Sequence, residues 1–342
     1  MDSRKQPLYG KTIAELEAIC AENSLPKFTA KQVANWLYTK RVTSIEQMSN
    51  LSIKARGALA ENYCVGLYPP LKASQAKDGT KKYLFATHQG CYIEAAYIPS
   101  ADRATLCVSS QAGCRMGCTF CATGRQGLQH SLSANEILNQ VASIEESEKL
   151  TNIVFMGMGE PLDNMDNVLK ALEVMTSAWG YAWSPSRITL STAGVGRELR
   201  RLLDSTTVHI AISLHNPYSD ERAQIMPIEK AYPIAEIMET LRQYDFSRQR
   251  RLSFEYIVMS GKNNHPHHIR ELCRLLNGVK CRINLIKFHK IPGSPYFSPD
   301  DEKMLRFRDA LTAKGIHTTI RTSRGEDIQA ACGLLSTSER LG

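Results

Sequence analysis

Four of the ten cysteines crowd into residues 107–121, in the stretch CVSSQAGCRMGCTFC. Cys114, Cys118 and Cys121 stand as C-x3-C-x2-C, and Cys107 lies seven residues upstream of Cys114. Thiolates at such spacing hold metal. A structural zinc site takes four protein ligands, usually as two close pairs, and the second pair is missing here. A 4Fe-4S cluster has four irons, so three thiolates leave one iron open to an outside ligand. Zinc is the second reading. The block NIVFMGMGEPLDN at 152–164 adds Gly157 and Gly159, which let the backbone approach a ligand, and Glu160, whose carboxylate can pair with an ammonium group.

These residues need a scaffold, and the chain alternates strand, loop and helix from about residue 100. The strands read are ATLCVSS, NIVFMG, RITLST, VHIAISL, SFEYIVM and CRINLIKF, separated by helical stretches such as ANEILNQVASIEESEK and YPIAEIMETLRQY. Such alternation predicts an α/β fold with a parallel sheet, barrel-like or doubly wound; six strands are too few for a closed eight-stranded barrel. Ligands gather beyond the carboxyl ends of such strands, and the cysteine loop follows the first of them. On spacing alone, Cys107 is a small buried hydrophobe in that strand and Cys332 a core thiol on a short helix.

Residues 1–65 read as a small helical domain opened by capping-box pairs at Thr12 with Glu15, Thr29 with Gln32, and Ser44 with Gln47. Ile13, Leu16, Ile19, Val33, Trp36 and Leu37 recur at helical spacing and predict its core. Residues 66–100 carry a Pro pair and an Asp-Gly turn, with KKYLFAT and CYIEAAYI as a hairpin or edge strands leading into the main domain at 101–342. No run of eighteen apolar residues occurs and the N-terminus lacks a secretory apolar region, which predicts a cytoplasmic protein outside the membrane. The net charge of +8 suits a protein that meets a polyanion, with basic residues at 197–201, at 247–251 and around Arg282, Lys287 and Lys290.

The cysteine loop and the Gly-Glu block together resemble the radical S-adenosylmethionine (SAM) superfamily, whose hallmark is this C-x3-C-x2-C loop after the first strand of a partial barrel. The resemblance implies a partial (β/α)6 barrel with a small N-terminal helical domain. It also implies that SAM chelates the open iron and is cleaved to a 5′-deoxyadenosyl radical. Further segments, RITLSTAGV, IAISLHNP, INLIKFHKIPGSPY and RTSRGEDIQAACG, narrow the match to the RNA adenine-C2 methyltransferases and their C8-methylating resistance relatives. The nearest rival is therefore C8 methylation. A rival of another class is an iron-sulfur or zinc protein that binds RNA without modifying it.

Carried over residue by residue, the resemblance assigns Cys114, Cys118 and Cys121 to the cluster. Two SAM molecules are used per turnover. Cys332 accepts a methyl from one, a radical made from the other activates that methyl for addition to the base, and Cys107 then attacks the Cys332 sulfur to release the product, leaving a disulfide. Ionising these thiols requires a lowered pKa or a nearby base, and Glu94 matches the family's proton acceptor. Gly159, Glu160, Ser191, Ser213, Leu214 and His215 match SAM contacts. His289 stands where many relatives have asparagine, at an adenine-facing position. The partners implied are 23S ribosomal RNA, tRNA and an external electron donor such as flavodoxin or ferredoxin, acting on a monomer. Cys20, Cys64, Cys91, Cys273 and Cys281 match no motif and read as structural.

Overall fold

The computed structural model describes residues 5–247 and 250–336, so part of the basic stretch 247–251 lies outside the described residues. The chain divides into two compact units. One comprises Met1–Leu71, Leu132–Lys149 and Asp166–Ser184; the other comprises Lys72–Ser131, Leu150–Met165 and Pro185–Gly342.

In the first unit, the helix Ile13–Glu22 starts where the sequence signals it. Thr12 Oγ1 accepts from the Glu15 amide at 3.3 Å and Glu15 Oε2 accepts from the Thr12 amide at 2.8 Å. Ser44 and Gln47 form a second capping box, on the 3-10 turn Ile45–Gln47. The third expected box does not form. Thr29 is already the first residue of its helix, Thr29–Ala34, because its amide turns back to the Pro26 carbonyl, and Phe28 caps without a side-chain bond. Leu16, Ile19, Val33 and Leu37 are buried as expected, whereas Ile13 and Trp36 are only half-buried. The Trp36 indole instead faces outward under the Lys40 ammonium, 3.7 Å from the ring centre.

Segments distant in sequence are tied together by Asn135, a buried side chain on the helix Ala134–Ala142. Its amide donates to the Tyr9 carbonyl at 3.0 Å and to the Gly66 carbonyl at 2.8 Å. Gly10 sits at φ +89° with its absent Cβ directed 2.5 Å from the Asn135 amide nitrogen, so only glycine lets the chain pass there. Asn135→Ala is expected to destabilise the protein by about 2–4 kcal/mol, because two buried carbonyls lose their donor. Thermal denaturation measures it; an unchanged midpoint contradicts this role.

The second unit is built on one ten-stranded sheet. Its strands in chain order are β1 Lys72–Gln75, β2 Lys81–Ala86, β3 Tyr92–Pro99, β4 Ala104–Cys107, β5 Asn152–Phe155, β6 Ile188–Thr192, β7 His209–Ser213, β8 Leu252–Val258, β9 Arg282–Lys287 and β10 Thr318–Ile320. Chain order is also spatial order, with β1 to β4 antiparallel and β4 to β10 parallel. This is the partial barrel, an open sheet with edges at β1 and β10. The six expected parallel strands are joined by a seventh, β10, which is only three residues long and too short to stand out as an apolar run. KKYLFAT and CYIEAAYI form the hairpin β2–β3, and all seven residues of β8 are buried, Ser253 and Glu255 among its apolar ones included. Among the described residues no helix is long and apolar enough to cross a membrane.

Candidate active site

A cavity of about 640 Å³ opens at the carboxyl ends of the parallel strands. Its wall includes Cys107 at the end of β4, Gly157, Gly159 and Glu160 after β5, Ser191 in β6, Ser213 at the end of β7, His215 beyond it, and His289 after β9. The same wall carries Cys114, Cys118, Cys121 and Cys332. Two expected site residues do not line it. Leu214 is buried behind the wall, its amide donating to the Glu255 carbonyl at 3.0 Å. Glu94 is buried in β3, its carboxylate paired with Lys82 at 2.9 Å and accepting from the Ser336 amide at 2.9 Å.

The cysteine loop is held from several sides. Cys114 ends the strand Gln111–Cys114, which pairs with Gly127–Ser131, and Cys121 precedes the helical turn Ala122–Gln126. The Thr119 amide donates to the Ile225 carbonyl at 3.0 Å, and Arg115 pairs with Asp163 at 2.8 Å. The C-terminal segment docks on the same loop: the Ala122 amide donates to the Gly333 carbonyl at 2.9 Å, and Thr123 Oγ1 donates to the Leu335 carbonyl at 2.7 Å. These bonds seat Cys332, which lies in a turn after the short helix Glu326–Ile328 and not on a helix, beside the cysteine loop. Cys107 packs against Ala330, two residues before Cys332. Residues more than 200 positions apart in sequence thus share one wall.

All ten cysteines are free thiols, and Cys332 alone is exposed. Its exposed side opens into the cavity, whose walls desolvate it. Burial raises the Cys332 thiol, with the Arg321 guanidinium opposing, and pushes Cys107 up to about 12. The cation and carboxylate beside them are Arg321 and Glu255, paired at 3.3 Å, which line the cavity and which sequence reading missed. Glu255 is further fixed by Ser253 Oγ at 3.1 Å and Asn284 Nδ2 at 2.8 Å.

Glu160 is the buried carboxylate that the Gly-Glu block promised. Thr192 Oγ1 at 2.5 Å and the Leu162 amide at 3.1 Å donate to one oxygen, and the Ala193 amide at 2.8 Å to the other. Burial raises it to about 7, against these bonds. A cation entering the cavity restores its charge. The glycines before it also let the chain pass close to itself. A Cβ on Gly159 would lie 2.7 Å from the Gln111 amide nitrogen and one on Gly157 2.7 Å from the Val108 carbonyl, so the close approach they permit is of the chain to itself.

His215 is buried at φ +55°, with its pKa pushed down to about 3 by burial. Its Nδ1 accepts from the Ile257 amide at 3.0 Å, so the neutral ring carries its proton on Nε2. His289 exchanges a hydrogen bond with Ser323 Oγ at 2.9 Å.

Bonds of 2.3 Å to one tetrahedral zinc place sulfurs about 3.8 Å apart. Among the described residues, the only potential metal-ligand atoms gathered within 4.8 Å of one another belong to Glu221, His267 and His268, and not to the three cysteines. Even there the His268 ring is already committed, Nδ1 to the His265 amide and Nε2 to Glu221. Cys114, Cys118 and Cys121 line one cavity, as a cluster that holds each thiolate on its own iron requires.

Comparison with known proteins agrees. Residues 108–276 match the radical SAM superfamily, and residues 6–65 match the ribosomal RNA large subunit methyltransferase N-terminal domain. The probable dual-specificity RNA methyltransferase RlmN of Bacteroides thetaiotaomicron is 53% identical over 98% of this chain and 97% of its own. The chain belongs to the RlmN family of radical SAM RNA methyltransferases. The dual-specificity RNA methyltransferase RlmN of Syntrophus aciditrophicus is 39% identical, covering 95% and 94% of the two chains. A crystal structure of a radical SAM methyltransferase from Sphaerobacter thermophilus superposes with a TM-score of 0.90 at 38% identity, over 96% of this chain and 99% of that one. As an RlmN-family enzyme it uses a 4Fe-4S cluster and SAM.

Proposed function

We propose that this enzyme methylates C2 of adenine in 23S ribosomal RNA and in tRNA, with Cys332 as the methyl carrier and Cys107 as the thiol that frees the product. The observation that supports it is the docking of the Cys332 segment on the cysteine loop with Cys107 at its flank. A metal-binding RNA module has no use for a thiol so placed. C2 of adenine is an electron-poor amidine carbon that cannot displace a methyl from a sulfonium, so a detour through a protein sulfur is required. Cluster and SAM together supply a carbon radical.

The chain's own residues do the rest. Cys114, Cys118 and Cys121 hold three irons, and Glu160 takes the SAM amino group. Ser191, Ser213 and His215 flank the nucleoside, with Leu214 holding the strand end behind them, and His289 faces the adenine. Cys332 attacks the SAM methyl; after the RNA adduct has lost its C2 proton and its unpaired electron, which the cluster would take back, Cys107 attacks the Cys332 sulfur, a disulfide forms, and the electron pair of the broken sulfur–carbon bond stays on the methylene, which takes up a proton to become the methyl. Glu94, paired with Lys82 and set back from the cavity wall, is assigned the C2 proton. Residues 1–65 serve as the RNA-binding accessory domain, residues 66–100 as the linker and residues 101–342 as the catalytic domain. The protein works as a cytoplasmic monomer fed by a flavodoxin- or ferredoxin-type donor.

Incubation of reconstituted protein with SAM, reductant and a mixture of RNAs, followed by mass spectrometry of the nucleosides, tests this. The expected product is 2-methyladenosine in both RNA classes. Formation of 8-methyladenosine without it assigns the enzyme to the C8 reaction instead.

A further inference from the structure

Arg222 is the largest of the fully buried side chains, and the chemistry described so far makes no use of it. It lies in the short helix Ser219–Ile225. Its Nε donates to the Leu214 carbonyl at 3.0 Å, and its Nη2 donates to the Ser213 carbonyl at 2.8 Å and the Ala193 carbonyl at 3.3 Å. Nη1 pairs with the equally buried Glu229. Glu229 is in turn fixed by Ser219 Oγ at 2.6 Å and by the Ile234 amide at 3.1 Å. A guanidinium removed from water is expensive, and a well-packed apolar pair would stabilise the fold as well. Something else must keep it there.

Its surroundings supply the reason. Cys118 packs against the buried group that contains Ala193, Ile225 and Met226, next to the carbonyl Arg222 holds and on the helix Arg222 belongs to. The Thr119 amide is bonded to the Ile225 carbonyl, which fixes the Cys118 side of the loop to that helix. The neighbouring ring, His215, is neutral. The guanidinium thus holds the carbonyl of Ala193, a member of the group Cys118 packs against, while Glu229 is held on Nη1 by Ser219 and the Ile234 amide.

We propose that the Arg222–Glu229 pair sets the reduction potential of the cluster. A cluster on three thiolates gains a further negative charge when it accepts one electron, and potential follows net charge and nearby dipoles. The guanidinium stabilises the reduced form, which must be reached before SAM is cleaved. The same side chain fixes the ends of β6 and β7, where SAM is expected, so it is a positioning residue and not a catalytic one. The inference rests on Cys118 being a cluster ligand.

The test is an anaerobic redox titration with a one-electron reductant, dithionite, followed by electron paramagnetic resonance of the reduced cluster without SAM. In Arg222→Gln/Glu229→Gln, both charges go while hydrogen-bonding groups stay, and the ratio of reduced to oxidised cluster at the wild-type midpoint should fall about tenfold or more, a shift of ~59 mV for one electron. Glu229→Gln should move the midpoint the opposite way, since only the negative end is lost. Opposite signs are not produced by loosened packing. An unmoved midpoint in the double variant, or both variants shifting alike, overturns the proposal. Where the double variant holds no cluster, Glu229→Gln decides alone, an upward shift supporting the proposal and any other result overturning it. Cys118→Ala, prepared in parallel, should lose the cluster. Its retention refutes the ligand assignment, whereas its loss together with unmoved potentials refutes only the role of the pair.

Discussion

Cys107→Ala protein purified from cells should carry RNA bound covalently through Cys332, whereas Cys332→Ala protein should carry none. The expectation follows from placement. Cys332 opens into the cavity and is reachable by substrate, while Cys107 lies buried at the end of β4 behind it, against Ala330. The exposed thiol forms the bond to RNA and the buried one can only act on that thiol. Without Cys107 the adduct has no exit, so it accumulates; without Cys332 it never forms. Both variants should be inactive in turnover and keep their cluster, because neither residue belongs to C-x3-C-x2-C. Nuclease digestion followed by intact mass reads the result. Equal trapping in the two variants, or trapping in Cys332→Ala alone, contradicts the assigned roles.

Glu160→Gln is the second large effect. The carboxylate receives donors on both oxygens, Thr192 and Leu162 on one and Ala193 on the other. An amide at this position turns its NH2 toward a backbone N–H in either orientation, leaving a donor against a donor. It also removes the anionic acceptor of the SAM amino group in a buried setting, where losing one partner of a charge-assisted hydrogen bond costs about 2–5 kcal/mol. SAM affinity should fall about a hundredfold or more, with iron content unchanged. Equilibrium dialysis of labelled SAM against anaerobic protein measures it. Unaltered affinity assigns Glu160 to holding the turn after β5 and nothing more.

What could be read in the sequence was whatever is local. C-x3-C-x2-C and the Gly-Glu block are contiguous, so their chemistry is legible before any fold is known. Thr12 with Glu15 sits at a true helix start and was readable, while Thr29 with Gln32 has the same spacing inside a turn that Pro26 begins. β10 escaped because three residues carry too little periodicity. For Gly157 and Gly159 the sequence shows that something comes close, but not that Val108 and Gln111 of the chain itself are among what does.

Long-range groups were illegible without the wider family match. Nothing in SDERAQI distinguishes Arg222, a fully buried arginine, from one on a solvated helix face, because its partners are carbonyls supplied by β7 and the segment after β6. Glu255 did leave a trace, as the lone carboxylate inside the apolar strand SFEYIVM. Its partner Arg321 comes 66 residues later, at the end of the strand too short to be noticed. Cys332 gained meaning only from the resemblance, as its hydrogen-bonded neighbours in the cysteine loop lie some 200 residues away.

At the centre stands an iron left without a protein ligand, which SAM fills. Reduced enzyme mixed with SAM labelled with nitrogen-15 at its amino group and oxygen-17 at its carboxylate should show hyperfine coupling of both nuclei to the cluster by electron-nuclear double resonance. A cluster signal that forms normally and couples to neither label contradicts the account.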